Sequence, residues 1–271
     1  MSTTTTRAVI LARGLGTRMR KADASAALDD AQAAAADTGL KGMIPIGRPF
    51  MDFLISALAD AGFTDVCLVI GPEHGSVRDY YGRECAPHRV RIQFAVQAKP
   101  LGTADAVLAA ESFAAGRPFA VINSDNYYPA EALGELHRRP APVVVGFERE
   151  ALVRLGNVPP ERVARFGALE MDADSVLRRI LAAPTAAMLD AGPIYASLNC
   201  WSFTSDIFGA CRAVPRSARG ELELPQAVQL AIDQRGLRME VVRVRAAVLD
   251  MSSRADVPSV AARLADVTVR L

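Results

Sequence analysis

The chain has 271 residues, of which 51% are hydrophobic and 23% charged, and its 31 basic and 30 acidic residues leave a formal charge of +1. That composition excludes a disordered chain, and the near-zero charge excludes a broad basic face, so neither nucleic acid nor a membrane is expected as a partner. Four scattered cysteines without a C-x-x-C pair give no zinc-ligand spacing, the polar residues 1–6 do not read as a signal peptide, and the cytoplasm is the expected compartment.

Apolar residues 8–12 end in a glycine-rich turn, as a buried parallel strand does. The pattern then predicts a helix over 50–61, a strand over 66–70, a helix from about 75 and a strand over 90–96. A helix over 103–113, a strand over 119–122, a helix over 129–138 and a strand over 143–147 follow. Such alternation implies an α/β fold with a mostly parallel, Rossmann-like sheet flanked by helices. After residue 149 the rhythm changes to short strands at 166–171 and 176–181, a strand over 195–203 and helices near 206–211 and 224–234. Extended segments at 239–244 and 247–249 and a helix over 257–264 close the chain. Residues 22–38 hold nine alanines but only a weak apolar stripe, and are expected to form a mobile, lid-like helical insertion.

The first motif, Leu11-Ala12-Arg13-Gly14-Leu15-Gly16-Thr17-Arg18-Met19, follows the first strand directly. Its glycines let the backbone approach phosphate oxygens, and Arg18 adds a cation suited to a triphosphate. Met19 stands where a dinucleotide fingerprint needs a third glycine, and the Gly-Lys-Ser/Thr of a P-loop is missing. Lys41-Gly42-Met43-Ile44-Pro45-Ile46 offers a second cation. His74, His88 and His137 fall at expected surface positions and receive no catalytic role, while Cys67 and Cys200 sit in apolar runs that suit buried thiols.

Together these motifs resemble the sugar-1-phosphate nucleotidyltransferases, whose signature reads approximately L-A-[AG]-G-x-G-T-R followed by K-x-[ML]-x-P-[IV]. Four further segments are similar to family motifs: the stretch from Gln97 through Pro100, Gly102 and Thr103 to Ala106, Asn123-Ser124-Asp125-Asn126, Ser217 to Leu224 with Arg219 and Glu221, and Val248-Leu249-Asp250. These six ordered motifs span residues 7 to about 255. The resemblance implies a GT-A-like fold in one domain over 1–271, with a nucleotide-binding half over 7–148 and a smaller C-terminal substrate lobe over 149–271. It implies a nucleoside triphosphate and a sugar-1-phosphate-like molecule as partners, an NDP-sugar and pyrophosphate as products, and Mg²⁺ as cofactor. Relatives often assemble as dimers or tetramers, so a homo-oligomer is compatible with it.

On the same resemblance Arg18, Lys41 and Asp125 carry catalysis, and Asp125 and Asp250 hold the metal. Leu11, Ala12, Arg13, Gly14, Gly16, Thr17, Gln97, Pro100, Gly102 and Thr103 bind nucleotide, and Asn126, Asn199, Arg219 and Glu221 face the acceptor. The chemistry suits these residue types: a phosphate nucleophile is already ionised at neutral pH, so cations and a metal matter more than a base.

Two departures bear on substrate. Arg13 replaces the usual alanine or glycine, and is read as a third cation for the nucleotide in preference to a side chain pointing away into solvent. Ala182-Ala183 stand where the family has Glu-Lys against the sugar and its phosphate, which leaves the acceptor open. The rival readings are a nucleotide-binding regulatory protein with weak turnover, and a cytidylyltransferase using a non-sugar phosphate. The base is not legible, although Gln97 and the Gly102-Thr103 turn suit a pyrimidine edge.

Overall fold

A computed structural model describes residues 4–23 and 26–271. The strands are β1 (Arg7–Leu11), β2 (Asp65–Ile70), β3 (Arg91–Val96), β4 (Phe119–Asn123), β5 (Asn126–Tyr127) and β6 (Val143–Glu148). They are followed by β7 (Ala168–Met171), β8 (Leu177–Leu181), β9 (Tyr195–Phe203), β10 (Glu240–Val244) and β11 (Leu249–Asp250). One sheet runs in the order β10-β6-β9-β4-β1-β2-β3, with the β7–β8 hairpin attached through β9. β1 pairs in parallel with both β2 and β4, β2 with β3, and β6 with β10. β9 runs antiparallel between β4 and β6, so a strand from the second half of the chain completes the sheet of the first.

Strand alternation feeds two cores. Ala8 and Ile10 of β1 join the cluster under helices Phe50–Asp60, Ala130–Arg138 and Asp256–Leu264. Val9 and Leu11 point to the other face, under helices Thr103–Ala109, Ile207–Ala213 and Leu224–Arg235. Both faces are therefore covered, which explains why β2 is buried at every position rather than at alternate ones. Trp201 is fully buried, with Cys67 and Cys200 also in the core, and burial pushes the Cys67 thiol up to about 12. Such thiols are inert at neutral pH.

Three local expectations change. The helix over 103–113 breaks at the buried Ala110, whose φ of −92° and ψ of 7° form a turn between Thr103–Ala109 and Glu111–Ala114. His74 is not a surface residue: it is 7% exposed, and its Nδ1 accepts the Gly71 N–H at 3.2 Å. The alanine-rich insertion is anchored along its described helix Asp30–Thr38, with residues 24–25 outside the described residues. Asp29 and Gln32 form a capping box, Gln32 Nε2 donates to the Pro45 carbonyl, and Arg254 pairs with Asp37. Ala36 supplies the fully buried contact that a weak apolar stripe allows.

Candidate active site

Parallel strands of an open α/β sheet gather their following loops at one edge, where ligands bind. Residues 12–16 leave β1 at that edge and enter the short helix Thr17–Arg20. The loop is tied at its root, where Ala12 N–H donates to the Val69 carbonyl at 2.9 Å and Ser124 N–H to the Leu11 carbonyl at 3.3 Å. Among the described residues the N–H groups of Arg13, Gly14, Leu15 and Gly16 have no acceptor, so the loop offers donors to an anion. Gly16 takes φ +59°, and a Cβ there would lie 2.3 Å from the Gly39 carbonyl oxygen. Gly102 takes φ +123°, with a Cβ position 2.4 Å from the Leu222 carbonyl oxygen. Only glycine satisfies both conformation and contact at these two points.

A cleft of about 470 Å³ opens here. It brings Leu11, Ala12, Arg13, Gly14, Gly16, Thr17 and Arg18 together with Lys41, Gln97, Pro100, Gly102, Thr103, Asp125, Asn199 and Glu221. Lys41, carried past the insertion on a turn, places Nζ 2.8 Å from Asp125 Oδ2. Arg18 is exposed on the cleft and has no ion-pair partner among the described residues. Arg13, expected as a third free cation, is committed elsewhere: it pairs with Glu73 at 3.2 Å and donates to the Gln97 backbone carbonyl. It therefore ties the glycine-rich loop to the end of β3. A hydrogen bond from the Glu73 backbone N–H, and after it Arg13, hold the Glu73 carboxyl below its ordinary range, while burial lowers His74 below 6.5.

Gln97 has a fixed orientation. Its Nε2 donates to the Gly102 carbonyl at 3.0 Å and to Asp105 Oδ2 at 2.8 Å, and a carboxylate can accept only from the amide nitrogen. Oε1 is left as the acceptor at the cleft.

Asn126 and Arg219 do not line the cleft, contrary to their expected place at the acceptor. Asn126 is 4% exposed because β5 pairs with β11, which sets Asn126 opposite Asp250. The Arg219 side chain is 72% exposed and pairs with Glu223, four residues further on and just ahead of the helix Leu224–Arg235. Asn199 does face the cleft, in a left-handed conformation with φ +54° that asparagine tolerates better than most residues.

From Asn199 a directed chain of side-chain hydrogen bonds runs inward. Trp201 Nε1 donates to Asn199 Oδ1 at 3.1 Å, Asn199 Nδ2 to Asn123 Oδ1 at 3.3 Å, and Asn123 Nδ2 to Asn126 Oδ1 at 3.1 Å. Asn126 Nδ2 then donates to Asp250 Oδ1 at 3.0 Å. An indole N–H at one end and a carboxylate at the other leave each amide a single orientation. Asp250 Oδ1 also accepts from Ser252 Oγ at 3.1 Å, and Oδ2 accepts from Arg162 Nη1 at 2.6 Å. Burial, and then the nearby Asp125 charge, push the Asp250 carboxyl up, against the pull of Arg162.

The donor chemistry at Asp125 fits a divalent ion. Its carboxylate is one-quarter exposed at the cleft, and Oδ1 has no hydrogen bond among the described residues. Among those residues no three acidic, histidine or cysteine side chains cluster around a metal position. An ion at Asp125 would thus complete its shell with water and substrate oxygens, as Mg²⁺ commonly does.

The amino-acid sequence matches the family model described as Nucleotidyl transferase over residues 36–252, most of the chain. The chain belongs to the nucleotidyl transferase family. A glucose-1-phosphate thymidylyltransferase of Streptomyces antibioticus is 30% identical, covering 84% of this chain and 57% of that protein. A UTP–glucose-1-phosphate uridylyltransferase of Bacillus subtilis is 24% identical, covering 82% of this chain and 77% of that protein. This chain spans about half the length of the first curated relatives it matches, 57% and 47% of them. A UDP-glucose pyrophosphorylase crystallised with UDP-glucose superposes with a TM-score of 0.71 at 19% identity, covering 96% of this chain and 98% of that one, which shows the shared fold. Among the described residues no helix is long and apolar enough to cross a membrane.

Five residues that shape the site were given no role from the sequence: Arg162, Glu73, Asp105, Asn123 and Asn157. Asp105 and Asn123 lay inside quoted motifs and could have been read as partners of Gln97 and Asn126. Nothing local marks Arg162 or Asn157, whose partner Asp250 is 88 and 93 residues away.

Proposed function

We propose that this nucleotidyl transferase family member joins a nucleoside triphosphate to a sugar-1-phosphate, giving an NDP-sugar and pyrophosphate. The observation that carries the reading is the contact of Lys41 with Asp125, 2.8 Å apart, in one cleft with the phosphate loop and Arg18. A phosphate oxygen of the acceptor attacks the α-phosphorus, the bond from that phosphorus to the bridging oxygen breaks, and pyrophosphate leaves with the electron pair. No proton need be removed from the nucleophile, because the second phosphate ionisation lies near about 6. The protein's task is to neutralise and align two anions.

In this reading the loop N–H groups and Arg18 bind the triphosphate. Lys41 turns from Asp125 to phosphate oxygens when nucleotide enters, exchanging one anionic partner for another. Asp125 would hold Mg²⁺, which when bound neutralises phosphoryl oxygens. Asp250 supplies a second carboxylate only where Arg162 releases it. Asn199 and Glu221 remain to meet acceptor hydroxyls, since Ala182 and Ala183 have no polar side chain to offer. An intact cation–carboxylate pair at the cleft favours turnover over a role restricted to binding.

The held Gln97 amide supports a finer reading. Its free Oε1 suits the N3–H of uracil or thymine, so UTP or dTTP is the proposed donor. Pyrophosphate release tests both parts: each nucleotide is paired with a panel of sugar-1-phosphates. Release with UTP or dTTP at least about tenfold above CTP and ATP is expected for a lost base hydrogen bond. Equal rates with CTP would discard the base assignment, and no release with any pair would discard the activity.

A further inference from the structure

Asp250 is held by contacts that leave its oxygens little capacity for another ligand. Arg162 lies in the short helix Pro160–Val163 and donates from one nitrogen to both Asp250 Oδ2, at 2.6 Å, and Asp256 Oδ1, at 3.1 Å. Its side chain is 19% exposed and those of Asp250 and Asp256 are 6% and 9% exposed, so the triad is largely withdrawn from water. The other oxygen of Asp250 accepts from Asn126 and Ser252. The backbone is clamped as well: Asn157 Nδ2 donates to the Asp250 carbonyl at 2.9 Å, and Asp250 N–H donates to Asn157 Oδ1 at 2.8 Å. Asp256 is itself engaged, since its Oδ2 accepts from Ser252 N–H, Ser253 N–H and Ser253 Oγ. Asp125, by contrast, meets the cleft with one oxygen free.

We propose that Arg162 is a positioning residue that latches Asp250 away from divalent metal, so that in the free protein only Asp125 is available to the ion. The proposal rests on the nucleotidyl-transfer reading for its purpose, but not for its test. A buried carboxylate with a guanidinium in contact is charge-compensated already. A cation approaching Asp250 meets a fixed positive charge and must displace a hydrogen bond to gain an oxygen. The latch also connects to the cleft wall, because Asp250 terminates the amide chain that begins at Asn199. A change at Asn199 that weakens the Asn126 bond is one route by which a bound acceptor reaches Asp250.

The test uses the full chain without nucleotide, titrated with Mn²⁺ and followed by the electron paramagnetic resonance of free Mn²⁺. Asp250→Asn should leave the affinity of the otherwise native protein within about twofold, because that carboxylate does not serve the ion. Arg162→Gln should tighten binding about tenfold by exposing a second anionic ligand, and Arg162→Gln with Asp250→Asn should return it to the native value. A loss of about tenfold or more in Asp250→Asn alone would overturn the latch, as would an Arg162→Gln protein that melts near the native temperature yet binds Mn²⁺ no better. If Arg162→Gln fails to fold, Asp250→Asn still decides, since Arg162 keeps Asp256 as its partner there. Pyrophosphate release is not read in this experiment, so a failure of the latch and a failure of the activity are separately visible.

Discussion

The side of the cleft proposed to hold nucleotide is fastened before any substrate arrives, whereas the segment expected to reach the acceptor is not. On the first side, the loop after β1 is rooted on β2 and β4, Arg13 spans to Glu73 and the Gln97 carbonyl, and Asp105 fixes the Gln97 amide. On the second, Ala182 and Ala183 are exposed after β8, the helix Ala186–Asp190 buries no residue, and Leu189 is 59% exposed. Preorganised donors lower the ordering cost of binding, while an unanchored segment must be ordered by whatever binds it. Nucleotide affinity should therefore depend on many residues already in contact, and acceptor choice on few.

The largest expected effect breaks the fastened side at its charge. Asp125→Asn should lower kcat/KM by about a thousandfold and Lys41→Ala by about a hundredfold, measured as pyrophosphate release. Next comes the loop backbone: Gly16→Ala forces a Cβ onto the Gly39 carbonyl at positive φ. It should destabilise the fold by about 2 kcal/mol in chemical denaturation and weaken nucleotide binding by more than about tenfold. Arg13→Ala should raise the nucleotide KM only about three- to tenfold, because its charge goes to Glu73 and its effect passes through Gln97. An unchanged KM would show that the Arg13 bridge does not organise the nucleotide wall.

The other side sharpens the contrast by what does not change. Leu189→Asp should leave nucleotide affinity within about twofold of native, since this exposed side chain contributes no buried contact. The smallest effect concerns pH. His74 is held below its ordinary 6.5 by burial, so the folded state binds fewer protons than the unfolded chain just below that pH. Stability should be full above about 6.5, fall as pH drops towards the lowered value, and fall less in His74→Gln, as read by melting temperature between about pH 5 and 7.5.

How much of this was legible in the sequence follows from how local each signal is. β1 and the glycine-rich loop after it could be read together, because an apolar run ending in Gly14-Leu15-Gly16 is a contiguous pattern. The insertion was read from its weak apolar stripe, but its anchoring depends on Arg254, far along the chain, and on a capping box that composition does not weigh. The acceptor positions were harder. Asn126 follows Asp125 directly, yet strand pairing with Asp250 turns it into the interior. His74 was expected at the surface, yet it is buried, with its Nδ1 accepting the Gly71 N–H within the same turn. Arg162 bore no local signal because its function comes from a contact across 88 residues.

The most direct test of the account is product analysis: UTP or dTTP with a hexose-1-phosphate, followed by mass spectrometry alongside pyrophosphate measurement. The account predicts one NDP-sugar formed for each pyrophosphate released, with both lost together in Asp125→Asn. Pyrophosphate without NDP-sugar, or bound nucleotide with neither product across the full panel of acceptors, would contradict it.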